Sequence, residues 1–230
     1  MENNWWHLAR NRIIQAELQK RINPDDAILD VGCGRGVAVK YLRDAGLNCT
    51  GVETSNTRPI SGTASYITYR IKAQELPVEK RDKQKMILVL DVIEHIPDPV
   101  TFLDDLCSAF VNLQSIIITV PGRPELWSNY DQFYGHQRRY TIKMIEDLAG
   151  QIQWDLLWRS YFFHGVYLPA KTILGSGLKR AVGMTAPPKF TWWVHKIIAR
   201  AFVLEYNILP NNLPGTSIIA CLSVSQSPKL

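Results

Sequence analysis

Three stretches of this 230-residue chain combine residue types at spacings that suit chemistry. In Asp30-Val31-Gly32-Cys33-Gly34-Arg35-Gly36 an apolar run enters a turn with glycines at alternate positions. Glycine loses the most backbone freedom on folding, so three together point to a tight turn whose N–H groups a ligand can approach. The spacing is GxGxG, and the position a dinucleotide fingerprint reserves for its third glycine is Val37. Asp30 suits a cationic ligand group better than a pyrophosphate. Asp91, Glu94 and His95 have i, i+3, i+4 spacing, which could place a metal on one helical face. The favoured alternative is that Glu94 and His95 order the loop and Asp91 contacts a cofactor, so no metal site is assigned. In the stretch from Val120 to Thr141, His136 is the residue that titrates near neutrality, and Arg138 and Arg139 offer guanidinium forks to an anion. Ion pairing of those arginines with Asp131 or Glu125 is the competing reading. Trp127 and the tyrosines would line a ring pocket or pack the loop.

These residues need elements to place them. Leu8, Ile13, Ile14 and Leu18 give an apolar stripe over a helix spanning 8–21, broken by Asn23-Pro24. A buried strand over 27–31 leads into the glycine turn, and a helix over 36–45 closes at Gly46. Further strands are expected over 48–52, 66–71, 86–90 and 115–120, with a solvated charged run over 79–85 and a helix over 99–113. Thr141 should cap a helix over 142–149. A sixth strand is expected over 151–161 and a seventh over 216–224. The alternation predicts an α/β, doubly wound Rossmann-like sheet, with ligands at the carboxyl ends of its strands. Gly32, Glu53, Asp91 and Pro121 all fall at such ends.

Composition sets the outer bounds. Apolar residues at 46% and charged residues at 20% describe one globular domain over 1–230. The net charge of +5 is uneven. Residues 161–230 carry Lys171, Lys179, Arg180, Lys189, Lys196, Arg200 and Lys229 against Glu205, while the rest is close to neutral. An anionic partner, or solubility alone, would account for this. Four cysteines without CxxC pairing read as reduced thiols, and no secretory signal or membrane-spanning run is visible, so a cytoplasmic protein is expected.

At the glycine turn the chain resembles the S-adenosylmethionine motif of class I methyltransferases, and Leu90 to Pro99 is similar to the type-11 branch. The resemblance implies a seven-stranded sheet, mostly parallel, with the last strand antiparallel. It also implies that Glu53 binds ribose hydroxyls, and that Ala73-Gln74-Glu75-Leu76-Pro77 cradles adenine with Lys72 in place of the usual aspartate. Cofactor contacts are therefore expected from Asp30, Val31, Gly32, Cys33, Gly34, Gly36, Glu53, Thr54, Ala73, Gln74, Asp91, Val92 and Ile93. The segment Trp127-Ser128 … Gly135-His136-Gln137-Arg138-Arg139-Tyr140-Thr141 resembles a signature of small-molecule methyltransferases, with Tyr130 where histidine is usual. It implies acceptor binding by Trp127, Asp131, Arg138, Arg139 and Tyr140, with His136, then His95, as general base. No Asn/Asp-Pro-Pro-Tyr motif follows the fourth strand, which argues against nucleic acid as acceptor. A small-molecule or glycan/lipid-linked hydroxyl is expected, with a quinone-type phenol as runner-up; the rival is a non-catalytic cofactor-binding protein. Residues 162–214 read as a helical, aromatic and basic insertion, expected to act as a lid, an interface or a peripheral membrane contact.

Overall fold

The computed structural model describes residues 2–177, 179, 182 and 186–223. Arg180, Lys229 and Val224, invoked above, lie outside them. The first helix, α1 (Trp5–Gln19), starts earlier than its apolar stripe because the Asn4 side chain accepts from the Trp6 N–H at 2.9 Å and caps it. Then follow β1 (Ala27–Val31), α2 (Val37–Asp44), β2 (Cys49–Glu53), β3 (Ile67–Tyr69), α3 (Val78–Arg81) and β4 (Gln84–Leu90). The charged run over 79–85 is thus not a bare solvated face: it holds α3 and the start of β4. After it come α4 (Pro99–Ala109), β5 (Ser115–Pro121), α5 (Asn129–Phe133), α6 (Ile142–Gln151), β6 (Asp155–Phe162), α7 (His164–Gly175), α8 (Trp192–Ile208) and β7 (Ser217–Ser223).

The seven strands run in the order β3-β2-β1-β4-β5-β7-β6. All pairings are parallel except those of β7, which lies antiparallel between β5 and β6. The expected doubly wound sheet is therefore present, with its antiparallel last strand. Central strands rich in Ile, Leu and Val are buried on both faces. One apolar layer joins the sheet to α4 and α6 through Leu103, Leu106, Phe110, Ile145 and Leu148. The other joins it to α1, α2 and α8 through Ile13, Leu18, Leu42, Phe163, Ala199 and Tyr206.

Strand order reverses between β1 and β4, which opens a crevice at their carboxyl ends where such sheets hold ligands. The insertion over 162–214 divides its surface. Inward, Phe202 stacks on Trp5 with ring centroids 5.0 Å apart, and the Tyr206 hydroxyl donates to Glu17 at 3.2 Å. Outward, Trp193, Ile197 and Arg200 share one exposed side of α8. Glu205 accepts from the His164 and Gly165 N–H groups at 2.6 and 2.8 Å, capping α7. None of the described helices is long and apolar enough to cross a membrane.

Candidate active site

The glycine turn joins β1 to α2. Gly36 has φ +83°, and a Cβ there would come within 2.3 Å of Ile67 Cδ1, so both conformation and space require glycine. Gly34 has φ +53° with nothing near where a Cβ would be. Its N–H donates to Glu53 Oε2 at 2.8 Å, and the Ser55 N–H donates to Glu53 Oε1 at 2.8 Å. Thr54 adds a hydroxyl contact to the same oxygen at 3.4 Å. The Glu53 carboxylate is thereby oriented at the end of β2 with acceptor capacity left over. Gly32 lies against Val92, Cys33 packs on Gly51, and Val31 ends β1 within the core. Ala73 and Gln74 form a single turn over 73–75 beyond β3, with Ala73 buried and Gln74 half-buried. Ile93 is fully buried, its carbonyl accepting from the Tyr140 hydroxyl at 3.1 Å.

Beside the turn is a cavity of about 190 Å³ whose lining includes Asp30, Gly34, His7 and Arg10. The last two come from α1, and the sequence reading missed both. Arg10 is buried between Ala9 and Ile13, but His7, Asn11 and Glu17 are buried on the same helix, so no apolar stripe singled it out. Arg10 Nη1 pairs with Asp91 Oδ2, and Thr119 Oγ1 donates to Asp91 Oδ1 at 3.2 Å. Asp91 has φ +56°, a conformation that costs about 1–3 kcal/mol for a residue with a side chain. Its two partners hold it there. Asp30 is buried and its Oδ1 has no hydrogen-bond partner among the described residues. Burial raises its pKa to about 7, Arg10 opposing and Glu53 and Asp91 assisting. Both ring nitrogens of His7 are buried without partners among the described residues, and burial, then Arg10, brings its pKa down to about 3. An orphaned carboxylate oxygen, a cation and a neutral imidazole around one cavity fit the ends of a zwitterionic amino-acid ligand.

The second half of the site is the loop after β5. Ser128 and Asp131 form a capping box at the start of α5. Asp131 is fully buried: Oδ2 accepts from the Ser128 N–H at 2.9 Å, and Oδ1 accepts from His136 Nδ1 at 2.9 Å and Arg139 Nε at 2.8 Å. Burial pushes its pKa up, but the His136 and Arg139 contacts outweigh this and bring it down to about 2. Arg139 also donates to the Gly122 carbonyl at 3.0 Å, and half-buried Arg138 donates to the Pro97 carbonyl at 2.8 Å. Of the five residues expected to bind the acceptor, Asp131, Arg139 and Tyr140 are therefore buried and engaged in bracing the loop, and Arg138 is tied to the next turn. Trp127 alone of the five is surface-exposed. Ion pairing of Arg139 with Asp131 proves to be the arrangement present.

What the bracing presents is a pair of histidines. The Gln137 N–H donates to the Glu94 carbonyl at 2.8 Å and Gln137 Nε2 to the His95 carbonyl at 3.0 Å, docking the loop on the turn over 93–95. The His95 and His136 rings then meet edge to face, centroids 4.9 Å apart. His95 Nδ1 faces the Gly135 carbonyl at 3.4 Å. A carbonyl and an ionised carboxylate only accept, so Nδ1 carries the proton in both histidines and both Nε2 atoms keep a lone pair when the rings are neutral. Partial desolvation, then His136, lowers the His95 pKa. The grouping that sequence spacing allowed differs from the one present: Asp91 is taken by Arg10, and the residue beside Glu94 and His95 is His136.

The Methyltransferase domain family matches residues 5–157, two thirds of the chain. This chain belongs to that family and is a class I S-adenosylmethionine-dependent methyltransferase. A ubiquinone biosynthesis O-methyltransferase of Colwellia psychrerythraea is 31% identical over 101 residues, 40% of this chain and 40% of that protein. The match thus spans less than half the length of that curated relative. Among solved structures, the magnesium protoporphyrin IX methyltransferase of Synechocystis PCC 6803 superposes with a TM-score of 0.53 at 16% identity, covering 95% of this chain and 83% of that one. Phosphoethanolamine N-methyltransferase 2 of Haemonchus contortus gives 0.55 at 14%, covering 93% and 53%. At these identities the likeness is one of fold.

Proposed function

We propose that this enzyme methylates a hydroxyl oxygen of a small-molecule acceptor, with His136 and His95 serving the acceptor and the glycine turn the donor. The observation carrying this reading is the pair of histidines held in one tautomer with their Nε2 lone pairs beside the carboxyl edge of the sheet. S-adenosylmethionine supplies an electrophilic methyl carbon on a sulfonium. Glu53 takes the ribose hydroxyls, the 73–75 turn with Ala73 and Gln74 flanks the adenine, and Asp30 takes the amino group. The acceptor hydroxyl gives its proton to a neutral imidazole Nε2, with His136 first in line. The oxygen then forms its bond to the methyl carbon as the carbon–sulfur bond breaks with its pair on sulfur. Alignment and exclusion of water supply much of the rate.

A quinone-type phenol is supported by the names of the sequence relatives, and a glycan or lipid-linked hydroxyl by the resemblance of the acceptor loop. Transfer of labelled methyl from S-adenosylmethionine to panels of phenols and glycans tests both. Calorimetry should show micromolar donor binding, weakened at least tenfold by Glu53→Ala. His136→Ala should lower kcat by about a hundredfold or more while leaving donor affinity unchanged. Methylation confined to amines, or full activity in His136→Ala, would sink the hydroxyl reading.

A further inference from the structure

We infer that Glu94, His95 and His136 form a binding site for one divalent transition-metal ion at the acceptor side of the crevice. The three residues offer a carboxylate oxygen and two imidazole nitrogens that all lie within 4.8 Å of one another. Tetrahedral ligands around zinc at about 2.1 Å stand about 3.4 Å apart, so a small closure of the side chains completes the set. His95 is exposed, and its 3.4 Å contact with the Gly135 carbonyl is long enough to leave room for that adjustment.

The second observation is Glu94 itself. It is 1% exposed, and its Oε2 has no hydrogen-bond partner among the described residues. A buried carboxylate oxygen without a partner is costly, and a cation is the partner this position lacks. Both histidines are already arranged as ligands are. Each is fixed through Nδ1, one by the Asp131 carboxylate and the other by the Gly135 carbonyl, which aims Nε2 outward. Nearby charge admits a dication: Glu94, Asp91 and Asp131 face Arg10 and Arg139, and the two arginines are committed to Asp91 and Asp131. Two imidazoles and one carboxylate suit zinc, manganese, iron or cobalt better than calcium, which prefers oxygen alone. Three protein ligands leave coordination positions open for an acceptor oxygen, whose proton a bound cation makes easier to remove. In that role the site rests on the hydroxyl reading above: with the ion bound, both Nε2 atoms are ligands, and the ion replaces a free imidazole in activating the hydroxyl.

The test separates the two readings because it needs neither donor nor acceptor. Metal-free, tag-free full-length protein is titrated with Co2+ and followed by visible absorption, and with Zn2+ by calorimetry. One ion per chain is expected, with an affinity reduced at least tenfold in His95→Ala and in Glu94→Gln. His95 is exposed, so its substitution leaves the fold intact should Glu94→Gln prove unstable. Absence of stoichiometric uptake, or uptake unchanged in His95→Ala, overturns the metal site and leaves methyl transfer by a free histidine standing. Uptake without methylation of any hydroxyl would sink the acceptor reading while keeping the site.

Discussion

The donor and acceptor sides of this enzyme are built in opposite ways. On the donor side the backbone does most of the positioning: glycines at positive φ, N–H groups aimed at Glu53, and strand ends laid side by side by the parallel sheet. Of its charged side chains over the cavity, Asp30 keeps an oxygen without a partner among the described residues, while Arg10 is paired with Asp91. On the acceptor side only short helical turns, α5 among them, interrupt the loop between β5 and α6, and the side chains hold one another. Asp131 alone gathers Ser128, His136 and Arg139. A ligand site made of backbone tolerates change around it, whereas a site made of mutually braced side chains fails at its hub.

The largest expected effect follows from that difference. Asp131→Ala strips His136 of its orienting partner and leaves Arg139 buried without its counter-ion, a loss of about 3–5 kcal/mol of stability. Asp131→Asn keeps a hydrogen-bonding group of the same shape and should fold better. In Asp131→Asn, methyl transfer should fall about a hundredfold while donor affinity stays within about twofold. Steady-state kinetics beside donor calorimetry measures both. Equal losses in kcat and donor affinity would break the comparison, because the two sides would then be one cooperative unit.

How far each side could be read from sequence follows from the same contrast. The donor side was legible because its signal is local: the glycine spacing, with Asp30 before it and Glu53 ending the next strand, lies within two dozen residues. The doubly wound sheet followed from the alternation of elements, and the antiparallel last strand from the family resemblance. Arg10 was missed because its partner Asp91 is 81 positions away, and no local pattern couples a helix face to a distant strand end. On the acceptor side the motif residues were found but their roles were not. Composition shows that Asp131, Arg139 and Tyr140 are polar; only the folded loop shows that they face inward. The Asp91, Glu94, His95 spacing, to which no metal was assigned, does not come together on a helical face: Ile93–His95 is one short turn, and His136 joins Glu94 and His95 from across the loop.

A smaller effect sharpens the donor side. The Asp30 pKa of about 7 sits above the ordinary value of 3.8, so the folded apo protein holds this proton more tightly than the unfolded chain. Its contribution to stability is therefore full below about pH 4 and is lost as pH rises through about 7. Donor binding runs the other way, since the donor's ammonium needs the ionised carboxylate. Between about pH 6 and 7.5 donor affinity should rise several-fold, and Asp30→Asn should bind more weakly and flatten the profile. Calorimetry across that range decides it. An unchanged slope in Asp30→Asn would remove Asp30 as the titrating group.

The smallest effect concerns the outer surface of the insertion, which belongs to neither side. Phe190, Trp193 and Ile197 are exposed beside Lys189, Lys196 and Arg200, while the inner face of α8 is committed to α1. Aromatic and basic residues sharing one exposed face suit the surface of an anionic bilayer. Sedimentation with vesicles containing phosphatidylglycerol should carry the protein down, and neutral vesicles should not. Each basic residue replaced by Gln should weaken binding by about fivefold, as expected for about 1 kcal/mol per charge near such a surface. Trp193→Ala should weaken it further without touching donor affinity, because Trp193 is exposed on the outer side of α8. Binding indifferent to lipid charge would assign the basic excess to solubility, and the insertion would then serve the fold alone.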